Sequence, residues 1–500
     1  MKWFHLIGVS GKTTANIAKV FQEMGWFVTG SDSQFIPPAS DLLVENKINT
    51  VEGYNYIHLT KQFWVNKLKN KNLNDLPENP DLVLFISHLS SKNKEYLYSK
   101  KKNLDVKPYS RILGEYLIKK NSIVVIGTAG KTTTTALLTL LLQKLNLDPS
   151  YMIGAEVSDI SDSLKITDSD FSVIEGDEYH NPDPEIEGKA KFMEYKPKYL
   201  VITNIGWEHQ DIFKTQEDYI SEFKKCVDIV PSDGVIVAHY GDENINKTLE
   251  STKAKVIRYC LRDSGKKNDY KKENVWSVSK NEHGSFYIYD PKDNIVMEFN
   301  TKLIGDYNLE NILASIVLIL NLPSQVLPVN LIREGTNNLK TISSNISEFI
   351  GPKKRLEKLF ENDDILVIDD FGVAPSRAEN SLKTIHQNYP NHKIVAVFEP
   401  NSGSRTSDNK QFKSMYKNAF KNAEVVIIPD LSAMNNELIE SNAMVLELQK
   451  LGYNSVHISN NQLVNELRKR YLKKNEKTIF VFFSSYRLTE VGEAFAKSLK

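Results

Sequence analysis

The chain has 500 residues, of which 41% are hydrophobic and 25% are charged, and this composition is typical of globular rather than disordered proteins. Lysine and arginine together number 63, and so do aspartate and glutamate, so the formal net charge is zero. This balance gives no electrostatic reason to expect nucleic acid or an anionic membrane as a partner. At about 150 residues per domain, the length predicts roughly three domains.

The cysteine content limits the redox and metal chemistry of the chain. Its two cysteines, Cys226 and Cys260, are too few for a disulfide scaffold or a cysteine-rich metal site, so a reducing, cytoplasmic location is expected. The N-terminus lacks a basic region followed by a long apolar run, and no signal peptide is predicted. The longest apolar stretch, residues 312–322, is too short to span a bilayer and predicts a core helix.

The first block of the chain is predicted to be a β-α-β unit. Residues 3–7 predict a short strand, residues 8–11 a glycine-containing loop, and a helix is expected from about Thr14 to Met24. The second strand is predicted at residues 27–32 and ends in an acidic residue. Another buried strand is predicted at residues 81–88.

The second block opens with the most informative segment of the chain. An apolar run at residues 123–126 predicts a buried strand, residues 127–133 read Gly-Thr-Ala-Gly-Lys-Thr-Thr, and residues 136–142 predict a helix. A strand, a glycine loop, a Lys-Thr pair and a helix together predict a cradle for phosphate groups.

Each part of this cradle has a chemical role. The loop N–H groups and the helix N-terminus can face an anion, Lys131 can neutralise it, and the Thr132 hydroxyl can hold Mg²⁺. Only Thr128 and Ala129 separate the two glycines, whereas the usual phosphate loop has four residues there. An ordinary strand-to-helix turn with a surface lysine is the alternative.

The remaining predicted strands alternate with helical stretches, as in parallel α/β folds. In the second block they lie at residues 171–175, 199–205 and 234–239, followed by a small antiparallel patch within 262–300 and a helix from about Asn308 to Leu320. In the third block they lie at residues 365–369, 393–398, 424–428 and 478–483. We therefore predict an α/β protein of three domains: an N-terminal Rossmann-like domain of residues 1–110, a central phosphate-loop ATPase-like parallel sheet of residues 111–335, and a C-terminal Rossmann-like domain of residues 336–500.

Polar side chains follow two strands of the second block. Residues 175–178, Glu-Gly-Asp-Glu, come at the end of a predicted strand, and carboxylates beside a phosphate loop are natural Mg²⁺ ligands. Residues 203–211 follow the next strand and include His209, a candidate for binding a second metal ion or polarising a substrate. A hydrogen-bonded structural role for His209 is an equal alternative.

Six ordered motifs resemble those of the Mur ligases of peptidoglycan assembly, and the resemblance covers nearly the whole chain. They are Gly127–Thr133, which resembles the family's Gly-Thr-x-Gly-Lys-Thr-Thr; Glu175–Glu178, similar to Glu-Ala-Asp-Glu; Asn204 with His209, similar to Asn-x-x-x-x-His; Gly305–Asn311, similar to Gly-x-His-Asn-x-x-Asn; Arg355–Glu357, similar to Arg-x-Glu; and Asp369–Phe371, similar to Asp-Asp-Tyr. The family's shorter glycine spacing accounts for the departure from the usual phosphate loop.

The resemblance implies an ATP-dependent ligase with ATP and Mg²⁺ as cofactors, and with UDP-N-acetylmuramate and an amino acid or short peptide as substrates. It implies nucleotide contacts by Gly127, Thr128, Ala129, Gly130, Lys131, Thr132, Thr133, Asn308, Asn311, Arg355 and Asp369. It implies metal ligation by Thr132, Glu175 and His209, and catalytic roles for Lys131, Glu175, His209, Arg355 and Asp370. Substrate contacts are implied for Gly8, Ser10, Gly11, Lys12, Ser31, Asp32, Asn204 and Arg405.

The branch of the family is indicated by residues 5–8, His-Leu-Ile-Gly, and residues 30–32, Gly-Ser-Asp. They resemble the ligases that act directly on UDP-N-acetylmuramate, which add either L-alanine or a whole tripeptide. Phe223, which lies about where other branches carry a carbamylated lysine, fits this pair. The tripeptide-attaching type is favoured because it resembles the chain at residues 178–179, 189–192, 209–213 and 398–400. L-alanine remains open because Ser404–Thr406 resemble the alanine-adding type.

Three departures from the family pattern bear on function. Residues 372–375 are Gly-Val-Ala-Pro where the family has Ala-His-His-Pro, so two expected histidines are absent and the nucleotide-facing role of that loop is in doubt. Lys12 lies where the family has small residues, and it is either a contact to the UDP pyrophosphate or a surface lysine. Ala129 replaces the commoner His or Asn.

Two other functions therefore remain open. Val373 and Ala374 favour a catalytically degenerate Mur-like protein that binds UDP-muramyl compounds without catalysis. A different phosphate-loop NTPase would explain residues 121–142 but not the motifs at 306–311 and 369–371. The sequence does not indicate an oligomeric state.

Overall fold

The computed structural model describes residues 1–69, 71–86, 92–181, 189–208, 212–262, 274–326, 335–401, 404–406, 408–431, 439–473, 476–484 and 488–500. The predicted site residue His209 lies outside these ranges. Three β-sheets of five, ten and six strands organise the described chain.

The first sheet is parallel and carries the glycine loop at residues 8–11. Its strands are β1 (Trp3–Ile7), β2 (Phe27–Asp32), β3 (Asn49–Glu52), β4 (Leu82–Phe85) and β5 (Val106–Pro108). Its helices are α1 (Lys12–Glu23), α2 (Ala39–Glu45), α3 (Lys61–Leu68), α4 (Lys94–Lys101) and α5 (Tyr109–Tyr116), with short 3-10 helices at Tyr56–Leu59 and Lys71–Asp75. The strand order is β3-β2-β1-β4-β5, so β1 is central, which explains why it is buried along its whole length.

The second sheet carries the phosphate loop. Its strands are β6 (Asn121–Ile126), β7 (Ser150–Met152), β8 (Leu164–Lys165), β9 (Phe171–Glu175), β10 (Tyr199–Ile202), β11 (Val235–His239), β12 (Lys255–Leu261), β13 (Val275–Lys280), β14 (Phe286–Tyr289) and β15 (Ile295–Phe299). Their order is β15-β14-β13-β12-β11-β10-β6-β9-β7-β8. The helices that follow them are α6 (Lys131–Lys144), α7 (Gln216–Asp228), α8 (Glu243–Leu249), α9 (Asp306–Leu320) and α10 (Gly335–Glu348), with a 3-10 helix at Lys191–Tyr195.

The third sheet carries the Asp-Asp motif. Its strands are β16 (Glu357–Glu361), β17 (Ile365–Asp370), β18 (Lys393–Phe398), β19 (Val425–Ile428), β20 (Ser455–His457) and β21 (Thr478–Phe483). They lie in the order β16-β17-β21-β18-β19-β20, and all pairs except β16 with β17 are parallel. The helices are α11 (Pro375–Asn388), α12 (Asn409–Tyr416), α13 (Ser441–Lys450), α14 (Asn460–Glu466) and α15 (Thr489–Lys497), with a π-helical turn at Leu467–Tyr471.

The predicted fold class, α/β with mostly parallel sheets, is confirmed. The antiparallel patch is also confirmed, because β14 pairs antiparallel with both β13 and β15. Several predicted elements differ in their bounds, and two of these differences bear on the phosphate loop. The strand expected to reach Ile205 ends at Ile202, because the chain leaves the sheet there, and the helix after the phosphate loop begins at Lys131 rather than near Ala136.

The longest apolar stretch of the sequence forms the core helix that was predicted. Most of it lies in α9, where residues 312–314 and 316–319 are buried. No helix within the described ranges is both long and apolar enough to cross a membrane.

The described chain divides into two compact units. Unit one comprises residues 1–156, 160–300 and 310–347 and contains the first two sheets, and unit two comprises residues 157–159, 301–309 and 348–500 and contains the third. Each has its own apolar core, which includes Phe4, Val124 and Leu200 in unit one and Ile368, Phe398 and Val481 in unit two. The domain boundaries predicted at residues 110 and 335 stay predictions.

Gly114 allows α5 to pack closely on the 3-10 helix Lys191–Tyr195. A Cβ atom at this position would lie 2.6 Å from the Glu194 carbonyl oxygen. Helix propensity alone would favour Gly114→Ala by about 0.5–1 kcal/mol, but we expect the clash to outweigh it and to lower the free energy of unfolding by about 1 kcal/mol or more. The measurement is urea denaturation followed by tryptophan fluorescence, since all five tryptophans lie in unit one.

Glu115→Ala, at an exposed position on the same helix, is the control and should change stability by less than about 0.5 kcal/mol. A gain in stability from Gly114→Ala would contradict the close approach of the two helices.

Candidate functional site

Three neighbouring parallel strands of unit one bring the predicted phosphate and metal residues together. β6 lies between β9 and β10 in the sheet, and all three run in the same direction. Their carboxyl ends therefore share one edge, where ligands bind in open α/β sheets. The segments that follow them, at residues 127–133, 175–178 and 203–206, meet at this edge.

The two glycines of the phosphate loop are required by close packing. Gly127 and Gly130 have φ angles of 140° and 85°, which non-glycine residues rarely adopt. A Cβ atom at Gly127 would collide with the Thr203 hydroxyl, and one at Gly130 would collide with the Asn311 side chain. Asn311, predicted to contact the nucleotide, is thus buried against the loop.

The end of β10 holds the phosphate loop from the side. The Thr203 hydroxyl donates to the Ala129 carbonyl at 2.6 Å, and the Ala129 N–H donates to Asn204 Oδ1 at 2.8 Å. The Thr128 N–H donates to the Asn204 carbonyl at 3.0 Å. Asn204, predicted as a substrate contact, therefore supports the loop in this structure, and Thr203 is a supporting residue that the sequence did not reveal.

The two described residues predicted to bind Mg²⁺ are hydrogen-bonded to each other. The Thr132 hydroxyl donates to Glu175 Oε1 at 2.9 Å, and the Gly154 N–H donates to Glu175 Oε2 at 2.8 Å. Hydroxyl and carboxylate oxygens are ligands that Mg²⁺ accepts, and it normally takes its other ligands from phosphate and water. Among the described residues no cluster of three or more His, Cys, Asp or Glu could hold a metal ion by itself.

Lys131 points back to its own loop and to a buried carboxylate. Its Nζ donates to the Gly127 carbonyl at 2.5 Å and lies 3.2 Å from Glu178 Oε2. Glu178 is only 3% exposed, and the Tyr219 hydroxyl donates to it at 3.4 Å. Burial raises the pKa of Tyr219, so its hydroxyl stays a donor. Glu178 was not singled out from the sequence; its place three residues after Glu175 was the available signal.

The other predicted loop residues show different exposures. Ala129 is exposed at the tip of the loop and Thr128 is half-buried, with its hydroxyl donating to the Gly206 carbonyl at 2.8 Å. Thr133 is buried in the first turn of α6. Asn308 belongs to unit two, where its amide donates to the Ile304 carbonyl at 2.8 Å.

The glycine loop of the first sheet is tied to the end of β2. The Gly8 N–H donates to the Ser31 carbonyl, and the Ser10 N–H donates to Asp32 Oδ2, both at 2.8 Å. Gly11 precedes α1 as its N-cap. The Ser31 hydroxyl, by contrast, is completely buried and donates to Glu95 Oε2 at 2.5 Å, so it lies inside the sheet layer rather than on the loop surface.

Lys12, the first residue of α1, lies near the phosphate-loop edge. It forms an ion pair with Glu156 at 3.6 Å, with both side chains partly exposed. Lys12 and Gly154 line the same small cavity, and the Gly154 N–H is the group that donates to Glu175. The start of α1 is therefore linked to Glu175 within unit one, through this cavity and the hydrogen bond from Gly154.

In unit two, the two predicted aspartates differ in how they are held. Asp370 accepts from the Leu356 N–H at 2.9 Å and from the Ser381 hydroxyl at 3.1 Å, while burial raises its pKa. Neither carboxylate oxygen of Asp369 accepts a hydrogen bond from the described residues, and its nearest cation is Lys354 at 3.6 Å. Burial raises the pKa of Asp369 to about 6.

The other predicted residues of unit two are fixed by neighbouring groups. The Arg355 guanidinium lies 5.3 Å from the centre of the Phe371 ring. Arg405 is 4% exposed, and its Nε and one terminal nitrogen donate to the Ile439 carbonyl at 3.2 and 3.0 Å. Val373, at one of the positions where histidine was expected, is buried, and its carbonyl accepts from the Asn401 N–H at 3.1 Å.

The raised pKa of Asp369 makes the stability of unit two depend on pH. Because the folded-state value of about 6 exceeds the ordinary 3.8, ionising this carboxylate costs folding free energy at neutral pH, and the cost disappears below about pH 4. Asp369→Asn should therefore raise the free energy of unfolding by about 1–3 kcal/mol at pH 8 and by little at about pH 4.

The measurement is hydrogen exchange of peptides covering β17, with variant and parent compared at the same pH. Asp363→Asn, at an exposed position before the strand, is the matched control. An equal gain at both pH values would show that the charge of Asp369 is not the cause.

One protein-family model matches the part of the chain that carries four of the six motifs. Residues 125–319 match the family model described as Mur ligase middle domain. A UDP-N-acetylmuramate–L-alanine ligase of Caldicellulosiruptor bescii is 28% identical over 468 residues, which cover 92% of this chain and 91% of the relative.

Two solved structures share the fold over the whole chain. The UDP-N-acetylmuramate–alanine ligase of Thermotoga maritima has a TM-score of 0.70 at 20% identity and covers 100% of this chain and 99% of its own. The murein peptide ligase of Psychrobacter arcticus has a TM-score of 0.64 at 20% identity, with 100% and 98% covered. Residues 125–319 thus match the Mur ligase middle domain, and the chain is similar over most of its length to a UDP-N-acetylmuramate–L-alanine ligase in sequence and to the two solved ligases in fold.

Proposed function

We propose that this protein is an ATP-dependent ligase that joins the carboxylate of UDP-N-acetylmuramate to the amino group of an amino acid or short peptide, in peptidoglycan synthesis or recycling. The observation that carries the proposal is the meeting of a glycine loop, a lysine and the Thr132–Glu175 oxygen pair at one sheet edge. The name of the bacterial relative supplies the class of reaction.

The phosphate groups of ATP would lie over residues 127–132, where loop N–H groups and the N-terminus of α6 favour an anion. Lys131, now beside Glu178, would transfer its contact to the phosphates. Thr132 and Glu175 would hold Mg²⁺, which neutralises the phosphate charge when bound. His209 stays a predicted ligand for a second Mg²⁺.

The chemistry requires two anions to meet. Attack of the muramyl carboxylate on the γ-phosphate would give an acyl-phosphate and ADP, and a neutral amine would then displace phosphate to form the amide. Lys131 would neutralise the developing charge. From unit two, Arg355 and Asp369 are the proposed nucleotide contacts and Asp370 the proposed positioner of the amine, on motif position alone.

The amine is proposed to be L-alanine or a short peptide. The bacterial relative is named for L-alanine, whereas residues 189–192 and 398–400 resemble the tripeptide-attaching type. Arg405 is the proposed contact for the carboxylate of this substrate, and its bonds to the Ile439 carbonyl hold the guanidinium in place. A cytoplasmic location is part of the same proposal.

Lys131→Ala should remove ligation while leaving the fold intact. Without the ammonium group nothing replaces its charge at the phosphates, and we expect kcat/KM to fall by about 100-fold or more. The control is Lys144→Ala, at an exposed position near the other end of the same helix, which should keep the parent activity. The measurement is phosphate release in the presence of UDP-N-acetylmuramate and amine; full activity of Lys131→Ala would show that the site is assigned wrongly.

An amine panel tests the function itself. The protein is incubated with ATP, Mg²⁺, UDP-N-acetylmuramate and, in turn, L-alanine, the tripeptide or other amino acids, and the UDP-linked product is identified by mass spectrometry. We expect a product with one member of the panel, formed with one phosphate released per bond. ATP turnover indifferent to both substrates would instead support another phosphate-loop NTPase, and binding without phosphate release would support a degenerate binding protein.

A further inference from the structure

Unit one contains a buried charged cluster in its first sheet, and the proposed reaction makes no use of it. Its four side chains are at most 5% exposed and belong to His5, Ser31, His58 and Glu95. Glu95 lies in the first turn of α4, and the other three come from β1, the end of β2 and the 3-10 helix Tyr56–Leu59. One carboxylate therefore connects four separate elements.

Every described group that faces this carboxylate stabilises its ionised form. Oε1 lies 2.6 Å from His58 Nδ1 and accepts from the Asn55 N–H at 3.1 Å. Oε2 accepts from the Ser31 hydroxyl at 2.5 Å and lies 3.7 Å from His5 Nε2. Burial alone would raise the pKa of Glu95, but the neighbouring His5 and the hydrogen-bonded His58 outweigh it and hold the pKa at about 2. An ionised carboxylate only accepts, so the proton of the shortest histidine bond is on His58 Nδ1.

A buried ion of this kind is costly unless its partners hold it in a fixed geometry, so the segments attached to it are fixed in turn. Two of these segments, the end of β2 and residues 54–55, support the Gly8–Gly11 loop at the edge of the sheet. The residue after Ser31 is Asp32, whose carboxylate accepts from the Ser10 N–H at 2.8 Å and from the Tyr54 hydroxyl at 3.0 Å. Tyr54 in turn precedes Asn55, which is bonded to Glu95. Asp32 therefore holds the glycine loop directly. Glu95 in turn holds the two segments that contact or contain Asp32, through its bonds to Ser31 and to Asn55.

The topology places this network beside the expected ligand crevice. In the order β3-β2-β1-β4-β5 the chain turns from one side of β1 to the other, so the switch point lies between β1 and β4. Ligands of open parallel sheets bind at the carboxyl ends of the strands at such a point. The loop after β1 and helix α4 after β4 lie on its two sides, and Glu95 is on α4.

We propose that Glu95 is a positioning residue for the nucleotide-sugar site of the first sheet. Its carboxylate does not contact the ligand; it fixes the end of β2 and residues 54–55, and through them the Gly8–Gly11 loop that faces the UDP group. This inference rests on the proposed function for the identity of the ligand.

The test is Glu95→Gln in the full-length chain, with binding of UDP-N-acetylmuramate and of ATP each measured by calorimetry. The amide keeps the size of the side chain but presents an N–H₂ group where a donor now approaches. We expect the Kd for UDP-N-acetylmuramate to rise about tenfold or more, and the Kd for ATP and kcat at saturating substrate to stay within about twofold. Glu45→Gln, at an exposed position on α2, is the matched control and should leave both affinities unchanged.

Unchanged sugar-nucleotide affinity in Glu95→Gln would overturn the proposal, and so would an equal loss of ATP binding, which a purely structural role would produce. If Glu95→Gln does not fold, His58→Gln is measured instead; it removes one of the bonds and should weaken the same ligand selectively, and an unchanged affinity would again overturn the proposal. Failure of the parent protein to bind UDP-N-acetylmuramate would instead refute the proposed function, and the inference with it.

Discussion

The site depends on the hydrogen bonds between the phosphate loop and the two residues that follow β10. Thr203 and Asn204 bind the loop through its backbone, at the Ala129 carbonyl, the Ala129 N–H and the Thr128 N–H. These bonds use main-chain groups of the loop, so they fix its path whatever side chains it carries. The path of the loop therefore does not depend on the side chain of Ala129, where the motif that it resembles commonly has His or Asn.

The order of the strands brings the other residues of the site to this loop. β6 carries the loop, β10 supports it on one side, and β9 presents Glu175 on the other. Because the three strands are parallel and adjacent, Thr132 and Glu175 come within hydrogen-bonding distance although they are far apart in sequence. The sheet therefore brings the oxygen pair and the lysine together at one edge.

The buried charged side chains of the two units differ in how many partners they have. Lys131 is matched by Glu178 in unit one, a pairing that an anionic ligand can replace without leaving the lysine uncompensated. Glu95 accepts hydrogen bonds on both oxygens and stays ionised, whereas Asp369 accepts none from the described residues and its pKa rises to about 6. A buried carboxylate with hydrogen bonds to both oxygens fits a structural role. One without them fits the proposed role of Asp369, in which a ligand would supply the missing hydrogen bonds.

The sequence predicted the sheets and the phosphate loop because both are encoded locally, in apolar runs and in a strand–glycine–lysine–helix order. It missed short strands such as β7, β8 and β20, since their existence depends on a neighbouring strand to pair with. It did not reveal that the Asn204 side chain supports the phosphate loop or that the Ser31 hydroxyl bonds to Glu95, because a motif gives a residue's position in the chain but not the group that its side chain meets. Glu178 and Thr203 lie in segments that the sequence indicated, but their roles were missed for the same reason, as their partners are distant in sequence.

The proposed function requires residues 127–132 to bind a triphosphate whose metal ion would be held by Thr132 and Glu175. The most direct measurement is a crystal structure with a non-hydrolysable ATP analogue and Mn²⁺, located by anomalous scattering. We expect phosphate density along the loop, a manganese peak within coordination distance of the Thr132 hydroxyl and the Glu175 carboxylate, and Lys131 beside the phosphates rather than beside Glu178. An empty loop, or a metal ion bound away from Glu175, would contradict the proposed function.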